Sequence, residues 1–211
     1  EGNGQSELVK VLTGIMKATK GKVSIYNKDV TNQWPDDLRD KGLGIIPEDR
    51  YAQGLCTTMS VADNCIAGYH GKPEVCKFGF LRRRNIKALR DQYVKDYDIR
   101  VGDIDGNVGQ LSGGNAQKII VAREFENHPK LLLACQPTRG VDIGSIEFIH
   151  NQILNFRNEG NAVLLISSEL TEVMSLSDRI IVMYKGKIMG EVRPSEVSSA
   201  AIGLLMAGIQ N

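Results

Sequence analysis

Apolar residues recur at two periods along this chain, and the changes of period predict its elements. Leu8, Val9, Val11 and Leu12 share one helical face near the start. Residues 22–26 and 29–31 alternate around Asn27-Lys28, which predicts a hairpin turning at that pair. Residues 42–46 form an unbroken apolar run, the pattern of a strand buried on both faces. From residue 57 to 127 the period is helical, over 61–67, 85–97 and 116–125. Residues 131–134 and 162–166 read as two more buried strands, with a helix over 143–157 between them. A second hairpin is predicted for 179–184 and 187–192 around Lys185-Gly186, and a helical pattern over 195–207 follows. Strands alternating with helices predict an α/β fold, a mostly parallel sheet with helices on both faces, beside a small antiparallel β region and a helical block.

At 211 residues the chain is long enough to bury a full core. A net charge of +1, from 26 basic and 25 acidic residues, argues against a dedicated nucleic-acid binder, so no nucleic-acid partner is expected. Cys56, Cys65, Cys76 and Cys135 contain no Cys-x-x-Cys pair and no histidine at ligand spacing. They read as reduced, mostly buried thiols of a cytosolic protein, and no residue is assigned as a metal ligand. No apolar run approaches the roughly 20 residues of a membrane span, and no signal peptide is recognisable, so membrane work would pass through partner subunits. The basic run from Lys77 to Arg84 is read as a solvated face.

The chemistry concentrates in Leu111-Ser112-Gly113-Gly114-Asn115-Ala116-Gln117. Two glycines behind a serine leave backbone N–H groups uncovered where the helix over 116–125 is predicted to start. Those amides and the positive end of the helix dipole favour an anion such as phosphate, to which Ser112 adds a hydroxyl. Near the start, Gly2, Asn3, Gly4, Gln5 and Ser6 align with the end of a phosphate loop, G-x-x-x-x-G-K-[ST]. Gln5 stands where that loop carries its lysine. Beyond Asn115, the strand at 131–134 runs into Cys135-Gln136-Pro137-Thr138-Arg139-Gly140-Val141-Asp142.

Leu-Ser-Gly-Gly-Asn, followed at that distance by a strand and Pro-Thr-Arg-Gly-Val-Asp, resembles the nucleotide-binding cassette of ABC transporters, with its signature motif, Walker B strand and D-loop. The resemblance implies a P-loop NTPase-like fold and one cassette over residues 1–211, a fragment of a longer polypeptide that begins inside the P-loop. It implies a helical subdomain over 57–127. Glu48 takes the position of the Q-loop glutamine. The metal-holding Walker B aspartate is replaced by Cys135, the following glutamate by Gln136 and the H-loop histidine by Ser168, so no catalytic position is intact. Such cassettes pair head to tail, each ATP lying between one P-loop and the other domain's signature. The implied reading is a signature donor: Ser112, Gly113 and Gly114, with Asn115, cap the γ-phosphate held by a competent partner, and Asp142 crosses the interface. Gly2, Asn3, Gly4, Gln5, Ser6 and Glu48 remain as candidates for a weak site of its own. ATP then lies at the interface, with Mg²⁺ in the partner's site.

Glu-Asp-Arg after the strand at 42–46, together with Gln-Pro-Thr at 136–138, resembles the degenerate C-terminal cassette of bacterial tandem-cassette importers, nucleoside importers ahead of sugar importers. Implied partners are the N-terminal cassette of the same polypeptide, permease subunits and, indirectly, a solute-binding lipoprotein. The implied location is the cytoplasmic face of the plasma membrane. Alternatives are a sugar importer of the ribose or galactose type, a self-sufficient ATPase or kinase, a non-transport nucleotide-binding interaction module, and a soluble ABC protein of repair or translation.

Overall fold

The computed structural model describes residues 2–209, so Glu1 of the first turn lies outside the described residues. The chain divides into two compact units, residues 1–43 with 165–211, and residues 44–164.

The first unit begins with α1 (Gln5–Leu12), entered through Gly4 in a left-handed conformation. The two-residue strands β1 (Ser24–Ile25) and β2 (Lys28–Asp29) then pair antiparallel with Ile25 opposite Lys28. The hairpin therefore turns at Tyr26-Asn27, with φ 51° and 61°, one residue before the expected Asn27-Lys28. A two-residue turn of this hand needs positive φ at both centres, and Tyr26 and Asn27 both adopt it. An unpredicted helix, α2 (Pro35–Asp40), carries proline in its first turn, acidic residues after it and Arg39 at its end, and buries Leu38.

The second unit is built on the parallel sheet β3-β6-β7, of β3 (Leu43–Ile46), β6 (Leu131–Cys135) and β7 (Ala162–Ile166). A π-helical turn at Arg50–Gly54 follows β3, and α3 (Val61–Cys65) starts at Ser60, whose side chain accepts from the Asp63 amide. An unpredicted hairpin, β4 (Cys76–Lys77) and β5 (Phe80–Leu81), precedes α4 (Arg83–Asp96). Ala62, Ile66, Val75 and Ile86 make the local core under these helices.

The centre of this unit is α5 (Gly113–Glu126), buried on nearly every side from Ala116 to Glu124. Its polar residues are held individually, as burial demands. Arg123 donates to the carbonyls of Gly54 (3.0 Å) and Asn64 (3.2 Å) and pairs with Glu124 (3.0 Å). Glu124 accepts from the Ile45 amide (3.1 Å) and the Tyr69 hydroxyl (2.8 Å). Lys118 donates to the Asp98 carbonyl and lies 4.8 Å from the Phe148 ring centre. Beside α5 runs α6 (Ile143–Asn158), where Phe156 meets Phe125 edge to face at 5.2 Å.

The first unit resumes with α7 (Leu170–Leu176), the hairpin β8 (Ile180–Tyr184) and β9 (Lys187–Val192), and α8 (Ser199–Met206). The hairpin turns at Lys185-Gly186 as the sequence predicts, with Ile180, Val182 and Ile202 forming its core. Cys65 and Cys135 are buried, Cys76 is half-buried and Cys56 is exposed, so the expectation of mostly buried thiols holds for only part of the set. Cys56 sits in the loop between the π-helical turn and α3, where nothing covers it.

Candidate functional site

The α5 N-terminus is assembled from four segments of the second unit. Ser112 is extended (φ −61°, ψ 157°) and caps the helix. Its Oγ accepts from the Asn115 amide (3.4 Å) and from Asn115 Nδ2 (2.9 Å), which leaves the hydroxyl proton for an acceptor beyond the helix end. Asn115 is occupied at both ends, since its Oδ1 takes the Arg100 amide at 2.7 Å. The carboxamide thus supports the cap and does not point out towards a ligand.

Gly113 and Gly114 are required by what approaches them. A Cβ on Gly113 would lie 2.9 Å from both Arg50 Nη1 and the Gly140 carbonyl. On Gly114 it would lie 2.5 Å from Asp142 Oδ2 and nearer still to Ser145 Oγ. Asp142 is the N-cap of α6, accepting from the Ser145 amide (3.0 Å) and hydroxyl (2.8 Å). Those two bonds, the hydroxyl's first, hold its carboxyl below the ordinary range. Two helix N-termini are therefore packed side by side, and only glycine lets them approach.

Arg50 braces the pair. The Asp49 side chain accepts from the amides of Tyr51 and Ala52 and so fixes the start of the π-helical turn. From that turn Arg50 Nη1 donates to the carbonyls of Gly113 (3.1 Å) and Gly140 (3.2 Å). Buried Gln117 makes a second tie, Nε2 to the Pro137 carbonyl at 2.7 Å. The serine-glycine terminus and the 137–142 turn thus form one braced body. Neither Arg50 nor Gln117 nor Ser145 stood among the sequence candidates. The available signal was a cation placed just after an aspartate cap.

At the end of β6 the chemistry differs. Cys135 is 2% exposed, and burial, then the nearby Glu48 charge, push its thiol up to about 12. At physiological pH it is a neutral thiol, unable to ligate Mg²⁺, which takes oxygen donors. Gln136 is 7% exposed with φ 48°, and its carbonyl accepts from the Arg139 amide (3.1 Å). Glu48 faces Arg139 at 3.5 Å.

In the first unit, Gly2 to Ser6 form a turn into α1. The Gln5 side chain folds back so that its Oε1 accepts from the Asn3 amide (3.2 Å). The Lys185 amide donates to Asn3 Oδ1 (3.0 Å) and the Gly186 amide to the Asn3 carbonyl (2.9 Å). The Asn3 amide is therefore already satisfied by the Gln5 side chain. Ser168 is exposed just before α7, after Ser167, whose Oγ accepts from the Glu169 amide. The structure thus brings Ser112, Gly113, Gly114, Asn115 and Asp142 together, puts Glu48 near Cys135, and groups Gly2 to Ser6 with the turn of the β8–β9 hairpin.

A family model described as ABC transporter matches residues 1–139. The nucleoside import ATP-binding protein NupA of Lactococcus lactis subsp. cremoris is 43% identical over 208 residues, 99% of this chain and 41% of that protein. The guanosine import ATP-binding protein NupO of Bacillus subtilis is 40% identical over 99% of this chain and 41% of its own length. The glucose import ATP-binding protein TsgD13 of Haloferax volcanii is also 40% identical, over 98% and 38%. The chain therefore spans about two fifths of the length of these curated relatives. A solved nucleotide-free ATP-binding cassette from an ABC transporter matches the fold with a TM-score of 0.71, at 25% identity, covering 97% of this chain and 80% of its own.

Proposed function

The chain belongs to the ABC transporter family, and on that premise we propose that it is the signature-donating cassette of an ATP-driven importer, with nucleosides as the cargo class. The observation that carries this reading is an asymmetry between two sets of residues. Everything the family lends across an interface is present and braced: the Ser112 cap, the Gly113 and Gly114 amides, and Asp142 on its own helix terminus. The positions a cassette uses on its own nucleotide carry Gln5, Cys135, Gln136 and Ser168.

Phosphoryl transfer needs a cation on the phosphates, a metal carboxylate and a group that positions water. A neutral buried thiol and two carboxamides supply neither the cation nor the metal carboxylate, and a carboxamide cannot take a proton from water; loss of a general base alone costs about 10²–10⁴ in rate. The residues present do not fit Mg²⁺, so no step is assigned to a metal in this chain. What the chain contributes is orientation. The α5 terminus offers the Gly113 and Gly114 amides and a hydroxyl to an anion, and Arg50 and Gln117 keep that terminus in register with Asp142.

A nucleoside import relative at 43% identity supports nucleosides as cargo, whereas a glucose import relative at 40% keeps sugars as the second reading. We further propose a location at the cytoplasmic membrane face through permease subunits, beside a competent cassette in the same polypeptide, and a helical subdomain over residues 57–127. Among the described residues no helix is long and apolar enough to cross a membrane.

The test is ATP turnover by three preparations: this chain, a competent partner cassette, and both together. The chain alone is expected to show no turnover, and its addition is expected to raise the partner's rate unless Ser112 is replaced by arginine. Turnover by the chain alone overturns the proposal.

A further inference from the structure

The β4–β5 hairpin, which plays no part in the site above, carries Phe78, the most exposed large hydrophobic side chain among the described residues. Its turn is Phe78-Gly79, both at positive φ (52° and 80°), so a phenylalanine is held in a conformation that bulky residues avoid. Phe78 is 89% exposed and Phe80 79%. Around them stand Lys72, Lys77, Arg82, Arg83 and Arg84, with Glu74 the sole acid between residues 72 and 84. That stretch carries five of the 26 basic residues and one of the 25 acidic ones, in a chain whose net charge is only +1.

The base of the hairpin is anchored. Arg83 pairs with Asp63 at the start of α3 (2.6 Å), Arg82 donates to the Pro73 carbonyl (3.4 Å), and Asn85 donates to the Glu74 carbonyl (2.8 Å). The Lys77 ammonium lies 5.4 Å from the Phe78 ring centre. Two aromatic rings therefore project from a fixed base with cations beside them.

We propose that this hairpin docks on an anionic lipid surface, Phe78 and Phe80 entering the headgroup boundary while Lys77, Arg82 and Arg84 face lipid phosphates. Two features favour a bilayer over a protein partner. The strands are two residues long and offer no groove, and two rings expose far less area than the roughly 1,200 Å² that a stable protein interface buries. A bilayer needs no matching shape. It accepts an apolar tip flanked by cations, and each cation near the surface adds about fivefold to partitioning at moderate salt.

The test is co-sedimentation of the folded 211-residue chain with vesicles of phosphatidylcholine alone and with added phosphatidylglycerol. Sedimentation is expected with the anionic vesicles only, declining as salt rises. Arg82→Gln with Arg84→Gln is expected to lower the partition coefficient about 25-fold, while Arg82→Lys with Arg84→Lys keeps it. Phe78→Gly, which the positive φ tolerates, combined with Phe80→Ser removes the apolar part. Circular dichroism establishes that each variant is folded. In a Trp34→Phe background, Phe80→Trp emission is expected to shift to the blue on anionic vesicles. Equal binding to neutral vesicles, no binding to anionic ones, or variants that bind vesicles normally yet lose a permease partner would each overturn the proposal, the last by assigning the patch to a protein.

Discussion

Replacing Gly114 by alanine sets two opposed effects against each other, and the structure says which wins. In an open helix the change stabilises by up to about 1 kcal/mol, because glycine is the poorer helix former. At position 114 the new methyl meets Asp142 Oδ2 at 2.5 Å and Ser145 Oγ more closely still. Neither atom can swing away freely, since each is the other's hydrogen-bond partner at 2.8 Å and together they cap α6. Overpacking costs about 1–3 kcal/mol and a lost cap about 1. The net is a destabilisation of about 1–3 kcal/mol, which in a chain of this size lowers Tm by roughly 2–12 °C. Calorimetry of Gly114→Ala beside Gly203→Ala is the assay. Gly203 lies in α8 with no atom within 4 Å of a built Cβ, so that variant is expected to match or exceed wild type. Adding Ser145→Ala to Gly114→Ala is expected to recover part of the loss. A Gly114→Ala protein as stable as wild type would refute the packing of the two helix termini.

Other consequences follow from the same geometry. Arg50→Ala removes the donor shared by the Gly113 and Gly140 carbonyls, and hydrogen exchange is expected to quicken about 10-fold or more in both segments with only about 1–2 kcal/mol of stability lost. At neutral pH a thiol reagent is expected to modify exposed Cys56 first and to spare Cys65 and Cys135 until the chain unfolds. Both buried thiols are raised from 9.0 to about 12. The unfolded chain therefore loses these protons from about pH 9 while the native state keeps them. The stability they contribute is complete below pH 9 and falls towards pH 12, by about 1.4 kcal/mol per pH unit for each thiol, measurable by denaturant titration. Cys135→Asp places a carboxylate at a buried position near Glu48. It is expected to cost about 2–4 kcal/mol in chelator, and a Tm unchanged from wild type would contradict the placement.

The elements legible in the sequence are those whose signals are local and repeated. β6, β7 and the β8–β9 hairpin with its Lys185-Gly186 turn are found where apolar runs and turn residues place them. The first hairpin turns one residue earlier than the alternation places it, because strands of two residues are too short for periodicity to fix their register. The β4–β5 hairpin escapes for the same reason, its turn being Phe78-Gly79 without an asparagine or aspartate to announce it. In the candidate site, the serine-glycine terminus and Asp142 were visible as motifs. Arg50 was not, because its partners Gly113 and Gly140 lie 63 and 90 residues away, and such a contact exists only once β3, α5 and β6 have packed. Asn115 shows the converse case, a motif residue whose carboxamide turns inward to Ser112 and Arg100.

The central claim is that this chain lends its signature and owns no hydrolytic chemistry. Its most direct test is ATP turnover by the complete transporter polypeptide carrying either Ser112→Arg or Gln136→Gly. Glycine suits the left-handed backbone at 136, where φ is 48°, so the second change removes the side chain without strain. If the claim holds, Ser112→Arg abolishes turnover and Gln136→Gly leaves it nearly intact. The opposite pattern, with hydrolysis lost at Gln136→Gly and kept at Ser112→Arg, would contradict it.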